Sequence, residues 1–180
     1  MKGKGTGTRI DLTWDKVKGA TGYDVYWSYC NGKNNFNKLA NVPKSQKYAD
    51  KNLNNKREYK YFTVAYKMSG GKKVYLGRTN TVHVAMPYAA KTNVLKVTVN
   101  KTKANLAKGK TFKITKKVKL ENPKKKALNH LTKKERFITS NAKVATVSSA
   151  GVIKAVRKGT CTVYVMSENG VCAKIKVTVK

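Results

Sequence analysis

Between Ser140 and Val165 the chain reads SNAKVATVSSAGVIKAVRKGTCTVYV, and nearly every residue type in that stretch has a place in a β-rich unit. Val144, Ala145 and Val147 form a short apolar run, Ser149-Ala150-Gly151 breaks it, and Val152 and Ile153 resume it. Lys158-Gly159 breaks it again before Cys161, Val163 and Val165 alternate with polar neighbours. Runs this short, separated by turn residues and carrying a period of two, predict strand, turn, strand, turn, strand. Alternation points Cys161 into a core beside Val144 and Val147 and sets Cys172, out of step with Ala173, Ile175 and Val177, on the outer face. A Cys161–Cys172 bridge is therefore disfavoured, and the three cysteines are expected as free thiols.

The first half follows the same grammar. Short strand-like runs at 10–14, 23–29, 36–40, 47–49, 59–66 and 74–84 are separated by turn chemistry at Lys18–Gly22, Asn31–Asn35, Asn54-Asn55 and Ser69–Gly71. No helical period survives over a window long enough to count. The fold class is all-β, two tandem Ig-like β-sandwich domains.

Particular residues carry two resemblances. The order S-N-x-x-V-A-T-V-x-x-x-G-V-I-x-A-V-x-x-G-T-x-T-V, with Phe137 where a Trp often precedes the Ser-Asn stretch, resembles the bacterial immunoglobulin-like domain of group 2 (Big_2). In the first half Leu12-Thr13-Trp14, Gly22-Tyr23-Asp24-Val25-Tyr26, and Leu53 ahead of Tyr59 resemble a fibronectin type III domain. That resemblance implies that Trp14 packs between the sheets and that the Tyr59 hydroxyl bonds back to nearby backbone as a tyrosine corner. Thr63 stands where the family usually has Val, a departure that costs some core apolarity and that a hydroxyl bond could satisfy. The Gly-rich residues before Ile10 suggest that a regular first strand is missing or poorly formed. With Pro87 as the break, the expected domains are 1–87, fibronectin type III-like, and 88–180, Big_2-like. The expected core residues are Trp14, Tyr23, Leu53, Tyr59, Phe137, Val144, Val147 and Cys161.

Charge is the anomaly. The 180 residues carry 40 Lys plus Arg against 8 Asp plus Glu, a formal net charge of +32. Residues 91–180 hold 23 of those bases and three of the acids. The densest run lies in ENPKKKALNHLTKKER, which offers Lys124, Lys125, Lys126, Lys133, Lys134 and Arg136 as a polyanion-binding cluster; Lys113, Lys116, Lys117, Lys119, Lys174 and Lys176 add outward rows. Only five of the 40 bases are Arg, the residue of bidentate recognition, so bulk lysine suits diffuse attraction to a polyanion and not base readout. A generally basic solvated surface, with lysines guarding sheet edges, is the alternative reading.

Catalytic and metal chemistry find no motif. His83 and His130 lie outside HxH or HExxH spacing and read as surface histidines. The carboxylates occur singly, there is no calcium loop and no GxSxG elbow, and Gly3-x-Gly5-x-Gly7 lacks the strand and helix of a phosphate loop. No catalytic residue, metal or cofactor is expected. Eight of the ten tyrosines lie before Pro87; Tyr23 and Tyr59 are assigned inward, and Tyr26, Tyr66 and Tyr75 are expected partly exposed beside lysines. No long apolar run suggests a membrane span, and the polar start and strand-like end fit a segment of a longer exported protein.

Together with the resemblances, these features point to a non-catalytic bacterial surface or secreted module, adhesive or spacer-like. Its expected partners are an anionic wall polymer or glycan and the other domains of a longer parent. Two rivals remain open: an ancillary carbohydrate-binding segment of a polysaccharide-degrading enzyme, and a nucleic-acid-binding protein without sequence specificity.

Overall fold

The structure is a computed structural model describing residues 1–32, 35–131 and 136–180. Its described residues form strands and turns, without an α-helix. Contacts divide the chain into two compact units, Met1–Asn93 with Lys124–Leu128, and Val94–Pro123 with Asn129–Lys180. The division at Asn93/Val94 falls a little after Pro87, and a short piece of the lysine-dense segment belongs to the first unit.

The first unit holds β1 (Lys2–Thr6), β2 (Arg9–Thr13), β3 (Gly22–Tyr29), β4 (Asn37–Pro43), β5 (Lys47–Asp50), β6 (Glu58–Ser69), β7 (Lys72–Arg78) and β8 (Val82–Ala85). One sheet has the order β1-β2-β5; the other has β4-β3-β6-β7, with β8 also on β6. Ile10 and Leu12 of β2 pack with Tyr23 and Val25 of β3, Tyr59 and Tyr61 of β6, and Val82 and Val84 of β8. This is what alternation on half-buried strands dictates. Trp14 is buried edge-on to Tyr23, with ring centroids 5.5 Å apart. Leu53 packs half-buried against the same core, and the Asn54 amide donates to the Tyr59 hydroxyl at 3.0 Å.

Several expectations for this unit are corrected. Residues 2–6 do form a strand, paired antiparallel with β2 from Lys2↔Thr13 to Thr6↔Arg9. The reason is steric. A Cβ on Gly3 would collide with Val84, and one on Gly5 would lie 2.9 Å from the Ala85 carbonyl oxygen, so glycine lets the backbone itself cover the core where a side chain would not fit. The run 74–84 is two strands: β7 pairs with the second half of β6 and β8 with its first half. Tyr66 is buried, because its hydroxyl bridges Asn41 and its ring lies under Lys73. Among the described residues the Thr63 hydroxyl is buried without a hydrogen-bond partner, as is Trp14 Nε1; the expected compensation at Thr63 is not made.

The second unit holds β9 (Val94–Val99), β10 (Lys103–Leu106), β11 (Thr111–Lys113), β12 (Lys116–Leu120), β13 (Phe137–Thr139), β14 (Ala145–Val147), β15 (Val152–Ala155), β16 (Gly159–Met166) and β17 (Cys172–Val179). Its sheets are β10-β17-β16-β13, β11-β15-β14 and β12-β9. Val144, Ile153, Cys161, Val163, Val165, Ile175 and Val177 form the core, and Phe137 and Val147 pack half-buried against it. Gly151 at φ 75° brings the chain against the Phe137 ring; a Cβ there would lie 2.9 Å from Cζ. Cys161 faces inward and stands opposite Val177, whereas Cys172 stands opposite Met166, and Cys30, Cys161 and Cys172 are thiols outside any disulfide.

Candidate functional site

The lysine-dense segment is divided between the two units. Lys125 donates to the carbonyl oxygens of Pro87 and Ala89 at 3.0 and 2.7 Å, and its neighbours bind Thr92 through two backbone bonds. Leu128 is buried with Ala85 and Ala89. Lys125 therefore serves as a tie within the first unit, with Lys124 and Lys126 exposed beside it. Arg136 lies in the second unit, its guanidinium 2.6 Å from Glu168 and 2.8 Å from the Asn129 side chain. Glu168 is buried and also accepts from the Leu131 amide, so Arg136 is committed to a buried ion pair. Lys133 and Lys134 lie outside the described residues.

Cations also line the strands of the second unit. In β12 and β9 the antiparallel register sets Lys119 opposite Lys96 and Lys117 opposite Thr98. On the four-stranded sheet the inward residues Ala104, Cys161, Val163, Val165, Ile175 and Val177 are buried, so their alternates face out. Parallel pairing brings Lys103 of β10 level with Lys176 of β17, and antiparallel pairing puts Thr162 level with Lys176 and Tyr164 level with Lys174. Outward lysines on β17 are readable from alternation alone. That Lys103 joins them depends on a parallel pairing of distant strands, which no local signal announces.

Carboxylates are consumed structurally. Asp24 is fully buried and accepts from Asn41 at 2.8 Å, with Lys73 at 2.8 Å and Lys38 at 3.0 Å. Burial works to raise its pKa, but the hydrogen bonds from Lys73, Asn41 and Lys38 prevail and hold it below the ordinary carboxylate value. Asp50 behaves oppositely: burial pushes its pKa up despite the 2.8 Å bond donated by Tyr61. Burial, then the nearby Asp50 charge, drives the Tyr61 phenol far up, keeping it a donor. Asp11 is chelated by Arg9 at 2.8 and 2.9 Å.

One juxtaposition was invisible in the sequence. His83 on β8, expected on the surface, is half-buried with Nδ1 3.4 Å from the Cys30 sulfur, across 53 residues of chain. Only the pairing of β6 with both β3 and β8 brings them together. Beside Cys30 lies an open recess of ≈ 230 Å³ lined by Tyr29, Lys56, Arg57 and Glu58 among others. Among the tyrosines Tyr75 and Tyr88 are the most exposed, at 56% and 70%. Tyr29 is covered on one face by the Arg57 guanidinium at 5.0 Å, and Tyr26 stacks on Phe62 with ring centroids 4.9 Å apart.

Among known proteins, no curated sequence matches the chain. Among solved structures, domains 4 and 5 of the S-layer protein SbsC align with 87% of this chain and 70% of theirs, at 16% identity and TM-score 0.37. The FN1–FN3 domains of chicken CNTN1 align with 99% of this chain and 62% of theirs, at 15% identity and TM-score 0.35. A longer piece of SbsC, residues 31–844, aligns with 96% of this chain and 39% of its own length, at 14% identity and TM-score 0.34. The sequence itself carries the stronger finding, and it covers the strands of the second unit: residues 93–179 match the family model of the bacterial Ig-like domain, group 2.

Proposed function

We propose that this chain is a non-catalytic module of a bacterial surface or secreted protein, a fibronectin type III-like domain followed by a group 2 bacterial Ig-like domain, which spaces or tethers its parent and contacts anionic polymers through lysine. The observation that carries the reading is the uncompensated charge of the second half. Residues 91–180 hold 23 Lys plus Arg against three acids, and one of these, Glu168, is buried on Arg136, so cations far outnumber carboxylates in this half of the chain. Net charge of this density draws polyanions over several ångströms and releases their counterions on contact. For the first domain, support comes from Trp14 against Tyr23 and from the tyrosine-corner bond at Asn54. Against catalysis stands the use of Asp11, Asp24, Asp50 and Glu168 as structural partners of Arg, Lys or Tyr, not as facing acid and base.

The test is titration of the whole chain against deacylated poly(glycerol phosphate), heparin, duplex DNA and a neutral polysaccharide. Binding to the polyanions and not to the neutral polymer is expected. Salt-insensitive binding to the neutral polymer through the first domain would favour the carbohydrate-binding rival, and binding to none of them would leave a spacer alone.

A further inference from the structure

Building on that reading, we propose that the outer face of the sheet β10-β17-β16-β13 is the docking face, and that it takes a flexible polyol-phosphate chain. Three exposed lysines make the face. Lys174 and Lys176 stand two residues apart on β17, about 6.6–6.8 Å along the strand, and Lys103 is level with Lys176 on β10. Among the described residues none of the three has an ion-pair partner, and no carboxylate lies on these four strands. Like charges directly opposite on a sheet weaken it. Guarding an edge accounts for Lys103, since β10 is an edge strand, but not for Lys174 and Lys176, because β17 runs between β10 and β16. A central strand has no edge to protect, so a repelling triad there calls for an anion.

The surroundings select the anion's class. Tyr164 is the one aromatic residue among the outward positions of these strands, and the Lys174 ammonium lies 5.7 Å from its ring centroid. A sugar ring or a nucleobase would need an uncovered aromatic platform. Beside the ammonium groups the face offers hydroxyls, Thr162 level with Lys176 and Thr160 level with Thr178, while Ile138, level with Tyr164, and Met166 make the end away from Lys103 and Lys176 apolar. Ammonium and hydroxyl donors together suit phosphate oxygens. A polyol phosphodiester has charge at regular intervals, no ring to stack and the flexibility to follow a twisted strand, whereas duplex DNA is too stiff to follow it.

The full chain and three variants would be titrated with deacylated poly(glycerol phosphate) at about 50 mM salt, with heparin and duplex DNA in parallel. The variants are Lys103→Gln/Lys174→Gln/Lys176→Gln, the same three positions changed to Arg, and Lys124→Gln/Lys126→Gln. The triple Gln variant is expected to weaken poly(glycerol phosphate) binding by about tenfold or more and to lower the log–log salt slope by about two. The Arg variant should restore binding, the Lys124/Lys126 variant should bind as the parent does, and none should melt below the parent, the triple Gln variant melting at or slightly above it as the Lys103–Lys176 repulsion is relieved. Parent-like binding by the triple Gln variant would overturn this face while leaving the polyanion reading in place. Tighter binding of heparin or DNA through the same lysines would overturn the partner class. Failure of the unmodified chain to bind any polyanion would remove the underlying reading as well.

Discussion

Asp24 is a charge kept inside the protein by its neighbours. Two lysines and an asparagine hold its pKa below the ordinary value, so the folded state binds this proton more weakly than the unfolded chain does. The stabilisation is present above the unfolded value of about 4 and is lost as pH falls through the lower folded value. Asp24→Asn should cost about 1–3 kcal/mol at neutral pH and flatten the acid limb of the denaturation curve; an unchanged limb in urea titrations from neutral to acid pH would contradict this. Trp14→Ala should cost on the order of 3–5 kcal/mol and lower the melting of the first unit. That prediction needs only the sequence, because an aromatic flanked by alternating apolar residues declares its side of the sheet. The Asp24 cluster does not declare itself: Lys38, Asn41 and Lys73 come from β4 and β7, and a strand's own period says only that Asp24 faces away from Tyr23 and Val25. Alternation read Tyr66 as exposed for the same reason, since it tells which face a residue takes and not what covers that face.

At the scale of elements, β1 shows how a strand escapes a pattern search. Its inward positions are Gly3 and Gly5, so no apolar period marks it, and the features that make it a strand are Val84 and Ala85 on a strand far along the chain. Gly3→Val should push Val84 aside and cost roughly 1–3 kcal/mol in the first unit, measured by chemical denaturation; a neutral substitution would mean that β1 does not pack as described. The division of 74–84 into β7 and β8 was equally hidden, because both strands use the single long strand β6 as template. In the second unit short runs and turn glycines made the strands from 140 onward legible, whereas the internal ties of Lys125 and Arg136 in the loop before them were not. Glu168 explains the second tie: it is buried against Arg136 and the Leu131 amide. Glu168→Gln should destabilise the second unit by roughly 3 kcal/mol or more, since it leaves a largely buried guanidinium unpaired; thermal melting that stays unchanged would contradict the pairing.

For the whole molecule, the charge of +32 is the property that a spacer alone does not require, and composition displayed it from the outset. Composition could not show where the charge remains available. The fold withdraws Lys125 and Arg136 into ties and leaves the strand lysines outward, so the polyanion account rests on sheets and not on the lysine-dense loop. The most direct measurement of that account is the dependence of the binding constant on salt, for the intact chain and poly(glycerol phosphate), between about 50 and 200 mM. A straight log–log line falling by about 0.7 for each phosphate engaged, with a slope of at least two, is the predicted result. A flat line, or no binding at the low-salt end, would contradict it.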